Sequence, residues 1–313
     1  MRIVSREDNG DLAGQLPRVD SPTILAHEPP AAGTLMLIGG ACTPDGMALG
    51  TFVREARAVG GPVVGITEAS SNPNNSAKLW RGDFASVGIT DVSFPRVRRS
   101  DPRSDREAAA RIAEAGAVFL GGGDQVKLVA TLSGTRTCAA MKELYRRGGV
   151  ICGTSAGAAA LTALTMAGGE IDEEGNIVEQ YIGPGFGLLG YEAIIDTHFS
   201  QRRRLQRLFV VIAGNPQLLG LGIDENTALV VRGHLGEVVG AGGVTFVDGR
   251  DSVRFDNAHD LERGRQLTFS HLRVGIVGTH YHLNLLEREL DVLVTGEPSP
   301  HRRSPLASAA PGD

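Results

Sequence analysis

The sequence predicts an α/β fold in which helices cover both faces of a mostly parallel sheet. Short apolar runs alternate with helical segments between residues 34 and 155, the pattern of strand–helix–strand units. The 313 residues include 42 glycines, many of them at strand ends, where a residue without Cβ allows a sharp turn. After residue 185, short β runs with glycine turns predict a β-rich C-terminal flank of the same fold.

Each element is justified by its own pattern. Apolar runs that end in glycine or polar residues predict strands at 34–40, 62–70, 91–97, 117–123 and 149–155. Longer segments with one charged or polar face predict helices at 46–60, 105–116, 125–133 and 136–147.

The two ends of the chain differ from the middle. Residues 1–32 lack periodicity and contain four prolines, so we expect an irregular leader. Residues 297–313 combine prolines with small and basic residues, which is typical of a disordered tail. We expect residues 33–296 to form a single α/β domain.

Composition and charge exclude several classes of protein. The net charge of −5 argues against the broad basic face that nucleic-acid binding needs. No uninterrupted apolar stretch reaches the roughly 18 residues of a membrane span, and charges occupy the opening residues. Cys42, Cys138 and Cys152 lie too far apart for a CxxC metal site. We therefore expect a cytoplasmic protein without a membrane partner, a metal or an organic cofactor.

A candidate nucleophile is Ser155, in the G-x-S-x-G pattern of residues 153–157. The pattern follows the apolar run GVIC and precedes a run of small residues expected to be helical, so it stands in a strand–turn–helix context. A sharp elbow requires flanking glycines and presents the serine at a helix N-terminus. The same residues also fit a tight turn with a helix-capping serine.

A serine nucleophile needs a base and a carboxylate. Of the eight histidines, His198 ends the apolar run AIIDTH, where α/β folds place reactive groups; a structural histidine is the alternative. Glu225 lies at a comparable strand end, although an exposed turn fits it equally. Glu173, in the glycine-rich acidic segment 168–176, is the competing carboxylate, with a solvated loop as its alternative.

Two further segments carry binding groups. The turn at Gly121, Gly122 and Gly123 follows a buried run and exposes consecutive N–H groups that can bind an oxyanion, together with that of Ala156. Four arginines follow His198, and their guanidinium groups are suited to carboxylates. A solvated helix face is the alternative for them. They are Arg202, Arg203, Arg204 and Arg207.

Four segments, in this order, resemble those of the cyanophycinases, serine hydrolases of peptidase family S51 related to dipeptidase E. They are FLGGGDQ (119–125), GTSAGA (153–158), DTHFSQRRRLQRL (196–208) and GIDENTAL (222–229). The resemblance extends over residues 34–290. It implies a three-layer αβα sandwich like that of class I glutamine amidotransferases, in a homodimer. It also implies hydrolysis of cyanophycin, a polyaspartate with arginine on each β-carboxyl, to β-Asp-Arg dipeptides.

The resemblance also implies roles for individual residues. Ser155 corresponds to the nucleophile, His198 to the base and Glu225 to the third member, with Glu173 as its competitor. The residues implied in substrate binding are Gln125, Asp196, Arg202, Arg204 and Arg207.

The chain departs from the family pattern beside the histidine. Arg203 and Gln206 replace two glycines of the typical HFSQRGRLGRL segment, and Thr197 replaces a glutamine. These changes leave the histidine in place and are expected to alter the rim of the pocket. Two other functions stay open at this point: a dipeptidase-E-like aspartyl dipeptidase and an inactive binding protein of the same fold.

Overall fold

A computed structural model describes residues 33–171, 177–254 and 268–291; the predicted leader and tail lie outside this part of the chain. None of its helices is long and apolar enough to cross a membrane. The helices are α1 (Met47–Val59), α2 (Pro73–Ser86), α3 (Pro102–Glu114), α4 (Gln125–Leu132), α5 (Arg136–Arg146), α6 (Ala156–Ala159) and α7 (Leu205–Gly214). The strands are β1 (Thr34–Ile38), β2 (Val63–Ile66), β3 (Val92–Ser93), β4 (Ala117–Leu120), β5 (Val150–Thr154), β6 (Leu164–Ile171), β7 (Ile177–Pro184), β8 (Ala193–Thr197), β9 (Leu219–Ile223), β10 (Thr227–Arg232), β11 (Leu235–Gly240), β12 (Val244–Asp248), β13 (Val253–Arg254), β14 (Phe269–Ser270), β15 (Arg273–Val277), β16 (His282–Asn284) and β17 (Glu289–Asp291).

Nine strands form one large sheet in the spatial order β17-β16-β11-β10-β1-β5-β4-β2-β3. From β1 to β3 the neighbours run parallel, and β10 begins an antiparallel extension on the other side of β1. The parallel strands are continuous apolar runs such as VVGI in β2 and AVFL in β4. This composition is typical of parallel strands, because both of their faces are covered.

Alternate residues of the parallel strands β1, β2, β4 and β5 enter two separate cores. Met36 of β1 packs in a cluster with Phe52 of α1, whereas the adjacent Leu35 belongs to a cluster with Ile112 of α3 and Leu128 of α4. Successive side chains of a strand point to opposite faces, so helices cover the sheet on both sides. The predicted αβα arrangement is confirmed.

A second, four-stranded sheet of order β15-β12-β9-β8 supplies much of the predicted β-rich flank. Strands β8 and β9 are parallel, and β12 is antiparallel to β9. Leu208 and Ile212 of α7 pack in one cluster with Ile194 of β8. This sheet carries the histidine and glutamate of the candidate site at the ends of β8 and β9.

Two local predictions were wrong or incomplete. Helix α2 was missed because its Asn-Pro-Asn-Asn start has the composition of a turn; in the structure the Asn72 side chain caps it by accepting from the Asn75 N–H at 3.2 Å. The run after Ser155 is helical only to Ala159, and β6 begins at Leu164. The β6–β7 pairing overrides the weak helical preference of that run.

Candidate active site

Ser155 lies at a strained elbow between β5 and α6. Its backbone has φ 53° and ψ −119°, an uncommon conformation for a residue with a side chain. A Cβ at Gly153 would collide with the backbone of Gly157, and one at Gly157 would collide with the carbonyl of Leu120. The two glycines of the motif are therefore required by the close passage of strand and helix.

His198 follows β8 and faces the serine. The Ser155 Oγ to His198 Nε2 distance is 2.9 Å. The histidine backbone is held by a 2.7 Å hydrogen bond from its N–H to the Gly39 carbonyl. Gly40, with φ 104°, lies against the ring, and a Cβ there would collide with it. The end of β1 thus positions the imidazole.

Glu225, in the loop between β9 and β10, contacts the other side of the imidazole. Its Oε1 lies 2.6 Å from His198 Nδ1. A carboxylate only accepts hydrogen bonds, so the ring proton is assigned to Nδ1 and Nε2 is left to accept from the serine hydroxyl. Glu173, the competing carboxylate, lies outside the described residues.

The loop that carries Glu225 is fixed on both sides. The Glu225 N–H donates to Gln201 Oε1 at 3.1 Å. The Asp224 carboxylate accepts from the Ser200 N–H at 3.0 Å and the Gly243 N–H at 3.1 Å. Both acidic side chains of this Asp-Glu pair therefore have partners, which accounts for their position between two apolar strands.

The glycine turn and the start of α6 both lie beside the serine. Gly122 packs against Ser155, since a Cβ on Gly122 would lie 3.3 Å from the serine Cβ. Gly123 and Ala156 line the same pocket. The Gly121 N–H is already bonded to the Ile66 carbonyl at 2.9 Å. Among the described residues, no acceptor is found for the N–H groups of Gly122, Gly123 and Ala156, so they stay the candidate donors for an oxyanion.

Asp196 and two arginines form a buried charged cluster beside His198. The Asp196 side chain is 1% exposed. It accepts from Arg204 Nη1 at 3.1 Å and Arg207 Nε at 2.6 Å, and Arg204 also donates to the Thr197 carbonyl at 2.6 Å. Burial lowers the pKa of the Arg204 guanidinium, and the Asp196 charge opposes that shift. Arg204 remains cationic, because guanidinium stays protonated in proteins.

Arg202 differs from these two arginines. It is exposed, lines the pocket and has no side-chain partner among the described residues. Helix α7 begins only at Leu205, so Arg202 and Arg203 belong to the preceding turn rather than to a helix face. Arg203 does not line the pocket. Arg202 is the cation of this segment that is available to a ligand.

These groups surround a pocket of about 160 Å³. One wall is the β6–β7 hairpin, which is attached to the core by a hydrogen bond from Gln125 Nε2 to the Met166 carbonyl. Gln180 of β7 is buried and donates to the Gly168 carbonyl. The pocket therefore combines a serine–histidine pair, cationic groups and two glutamines.

Sequence reasoning missed several residues that shape this site. Gly39 and Gly40 appeared only as the glycines that end β1. Gln180 stands in no motif, and Gln201 lies in the 196–208 segment without a role of its own. A signal existed for the glycines, because a buried strand ending in two of them predicts a close approach. The glutamines act through residues far away in the chain, so no local pattern indicates them.

The cysteines do not compete with Ser155 as nucleophiles. Cys42, two residues after Gly40, donates its Sγ hydrogen to Thr154 Oγ1 at 3.6 Å. Burial raises the pKa of the thiols of Cys42 and Cys138, and that of Cys152 well above its ordinary value, so they stay protonated. Within the described ranges no group of three His, Cys, Asp or Glu side chains could hold a metal ion.

Comparison with known proteins identifies the relatives of this chain. A model of peptidase family S51 matches residues 84–239. The cyanophycinase of Synechococcus elongatus is 32% identical over 258 residues, which cover 80% of this chain and 79% of that protein. The cyanophycinase of Trichormus variabilis is 32% identical over 281 residues, covering 87% and 93%.

The fold also matches a solved structure. The crystal structure of a peptidase from an acI-B1 Actinobacterium superposes with a TM-score of 0.54 at 23% identity, covering 70% of this chain and 91% of that one. The α/β fold with a serine at a strand–helix elbow defines the class, a serine hydrolase. This chain belongs to peptidase family S51, as the matches to the family model and to its curated members show.

Proposed function

We propose that this enzyme is a serine exopeptidase that hydrolyses cyanophycin to β-Asp-Arg dipeptides. The observation that carries the proposal is the continuous chain of hydrogen bonds from Ser155 Oγ through His198 to Glu225, at 2.9 and 2.6 Å. Relatives that cover most of the chain are cyanophycinases, which supports the choice of substrate.

Acylation uses the serine and the histidine together. Ser155 Oγ attacks the scissile carbonyl carbon while His198 Nε2 takes the hydroxyl proton. Glu225 keeps the opposite proton on Nδ1 and stabilises the imidazolium that forms. The carbonyl oxygen becomes an oxyanion, which accepts from the N–H groups of Gly122, Gly123 and Ala156. Protonated His198 then gives its proton to the leaving amine, and the acyl-serine ester remains.

Deacylation repeats these steps with water. His198 Nε2 removes a proton from a water molecule, whose oxygen attacks the ester carbonyl. The second oxyanion binds the same backbone donors, and the imidazolium returns its proton to Ser155 Oγ as the acid product leaves. The chemistry consumes one water for each bond broken and uses only groups of this chain.

The charged side chains of the pocket wall bind the substrate. Each cyanophycin unit carries a free α-carboxylate on its arginine, and Arg202 supplies an unpaired guanidinium to bind it. Arg204 and Arg207 are held by Asp196, so they contribute a fixed positive field and shape this wall. Gln125 has its amide nitrogen bonded to the hairpin and offers its carbonyl oxygen to the substrate.

The setting we propose is a homodimer in the cytoplasm. The three cysteines are free thiols, which fits a reducing compartment. The dimer follows from the resemblance to the family, and sedimentation of the purified protein measures it.

The direct test is incubation of the protein with insoluble cyanophycin and identification of the products by mass. We expect β-Asp-Arg dipeptides as the product. Cleavage of small aspartyl dipeptides with the polymer left intact would instead favour a dipeptidase-E-like enzyme.

Ser155→Ala is the matched control for that experiment. It removes one hydroxyl and little packing, so the circular dichroism spectrum and Tm should stay unchanged while kcat falls by about 10⁶-fold. Residual turnover above a trace in Ser155→Ala would contradict the serine mechanism. Absence of Ser155 labelling by a serine-directed phosphonate in the parent would favour an inactive binding protein.

A further inference from the structure

A second, larger cleft lies at the far edge of the nine-stranded sheet, beyond β3. Its volume is about 460 Å³, compared with about 160 Å³ for the pocket at Ser155. We call it the edge groove. It is lined by Arg81 of α2, the segment Val92–Arg98 other than Val97, and Asp101, Arg103, Ser104, Glu107 and Arg111 at and within α3.

The edge groove and Ser155 lie at the same end of the parallel strands, the end at which the strands have their carboxyl termini. Ser155 follows β5. The groove is lined by β3 and by residues of the segment from Phe94 to Arg98 that follows it, and β4 and β2 lie between β5 and β3. These strands are parallel, so their carboxyl ends meet at the same edge of the sheet. Three strand spacings amount to about 14 Å, a distance that about four extended residues of a peptide can span.

Two guanidinium groups at the groove are held by fixed contacts. The Glu68 side chain is 5% exposed, and it accepts from Arg96 Nε at 2.9 Å and Nη2 at 3.1 Å. Arg96 also donates to Asn74 Oδ1 at 2.6 Å. Arg81 lies over the ring of Phe94, 5.4 Å from its centroid. These contacts hold two guanidinium groups in place before any ligand binds.

The rim of the groove has cations without partners. Arg98 and Arg103 are exposed, and neither side chain has a hydrogen bond or ion pair within the described parts of the chain. Arg111 pairs with Glu107 at 2.9 Å, about 12 Å along α3 from Arg103. Five arginines and two carboxylates line the groove, so it is basic in a chain whose net charge is −5.

The groove is built for side-chain recognition rather than for strand addition. Strand β3 has only two residues, and Pro95, in the lining, has no N–H to donate to an added strand. An occupant must therefore be held by the guanidinium and carboxylate groups. A ligand that carries carboxylates at intervals, with cations between them, matches this lining.

We propose that the edge groove binds a distal stretch of the same polymer whose end occupies the pocket at Ser155. This inference rests on the proposed function. Each polymer unit carries an α-carboxylate for Arg98 or Arg103 and a guanidinium for Glu107 or Asp101. Single exposed ion pairs are weak. Several such ion pairs along one polymer chain act together, because a chain that is already bound at the catalytic pocket presents its other units to the groove at a high effective concentration.

The test compares two double variants of the full-length enzyme. Arg98→Glu with Arg103→Glu reverses the two unpaired cations. A carboxylate at position 103 lies in the first turn of α3, where negative charge stabilises a helix, so the substitution leaves α3 stable. The control, Arg106→Glu with Lys142→Glu, makes the same charge change at exposed positions outside the groove. Each variant is assayed on the polymer and on an oligomer of two units, which is too short to reach both sites.

We expect the groove variant to raise KM for the polymer by about five- to thirtyfold over the control at low salt. The difference should vanish at about 0.5 M salt, while KM for the short oligomer and kcat for both substrates match the control. Equal KM values for the polymer would overturn the proposal, as would an equal rise for the short oligomer. A shift of the sedimentation coefficient in the groove variant alone would show an interface between copies instead.

A binding measurement separates this proposal from the proposed function. Two proteins are co-sedimented with insoluble polymer: Ser155→Ala, and Ser155→Ala combined with Arg98→Glu and Arg103→Glu. The measurement requires no cleavage. Retention of Ser155→Ala on the polymer that depends on Arg98 and Arg103 supports the groove proposal. If the parent enzyme releases no dipeptide, that second result rejects only the proposed activity. Retention that is independent of both arginines rejects the groove.

Discussion

Two buried aspartates, Asp196 and Asp248, lie near opposite ends of the same four-stranded sheet, and each binds several arginines. Asp196 of β8 pairs in register with Gly222, close to the end of β9. Asp248 of β12 pairs in register with Leu219, the first residue of β9. Their side chains are 1% and 5% exposed. The chemistry of the two clusters is nearly the same, and their surroundings differ.

The arginines around Asp248 connect parts of the chain. Arg288 donates to Asp248 Oδ1 at 2.8 Å and to the Gln217 carbonyl at 2.5 Å. Arg250 donates to Asp248 and, at 3.0 Å, to the Glu287 carbonyl. The arginines around Asp196 instead line the pocket that contains Ser155 and His198.

Two buried carboxylates with similar partners can therefore differ in their distance from the candidate site. Asp196 lies in the pocket with Ser155 and His198, whereas Asp248 does not line it. Changes at the Asp196 end should therefore reduce catalysis, and changes at the Asp248 end should reduce stability.

The largest effect at the catalytic end, after loss of the nucleophile, is expected for Glu225→Gln. The amide no longer selects the Nδ1 proton or stabilises the imidazolium, so kcat should fall by about 10⁴-fold. Glu225 is partly exposed, so Tm should change little. Glu173→Gln, the matched control, should keep nearly the parent kcat. The opposite ranking in steady-state assays would assign the role to Glu173.

Gly40→Ala comes next, because the added methyl group collides with the His198 ring at a position with φ 104°. Displacement of the imidazole by a fraction of an ångström to 1 Å should lower kcat by about 10²-fold. Gly60→Ala provides the control, since Gly60 also has positive φ but has no atom within 4 Å of an added Cβ. Gly60→Ala should lose some stability and no activity; an equal loss of kcat would contradict the steric account.

Asp248→Asn tests the other end of the sheet. It leaves the guanidinium groups partly unpaired, so stability should fall by about 3 kcal/mol and Tm by roughly 6–10 °C, with kcat unchanged. Asp196→Asn should lower stability and also raise KM. A change of kcat or KM in folded Asp248→Asn would break the comparison between the two clusters.

The contribution of Asp248 should also depend on pH. Burial alone would raise the pKa of Asp248, but hydrogen bonds from Arg250 and Arg288 outweigh burial and hold it below the ordinary value of 3.8. A carboxyl group with a lowered pKa in the folded state stabilises above its unfolded pKa. The Tm difference between the parent and Asp248→Asn should therefore have its maximum value above about pH 4. It should decrease as the pH falls below that value.

The smallest effect is expected for Arg202→Ala. Loss of one charge-assisted contact should raise KM for cyanophycin by about tenfold, more at low salt than at high salt. Arg203→Ala removes the neighbouring charge, which does not line the pocket, and should match the parent. Equal KM values for Arg202→Ala and the parent would show that the substrate carboxylate binds elsewhere.

The sequence by itself determined the features that depend on neighbours in the chain. The strand ends at Ser155 and His198, the flanking glycines and the parallel sheet followed from local apolar runs and glycine positions, because elbows and strand ends depend on residues a few positions apart. It also indicated Glu225. The turn-like start of α2 and the short α6 show where local propensity is overridden by capping and by strand pairing.

Only the tertiary structure decided how distant segments meet. The contact of Gly40 with His198, the pairing of Asp196 with Arg204 and Arg207, and the groove beyond β3 join side chains from different elements. Arg202 and Arg204 stand two positions apart in one basic run. Arg204 is bonded to Asp196, whereas Arg202 has no side-chain partner among the described residues. Burial and pairing assign these roles, because the availability of a guanidinium group depends on what the folded chain places beside it.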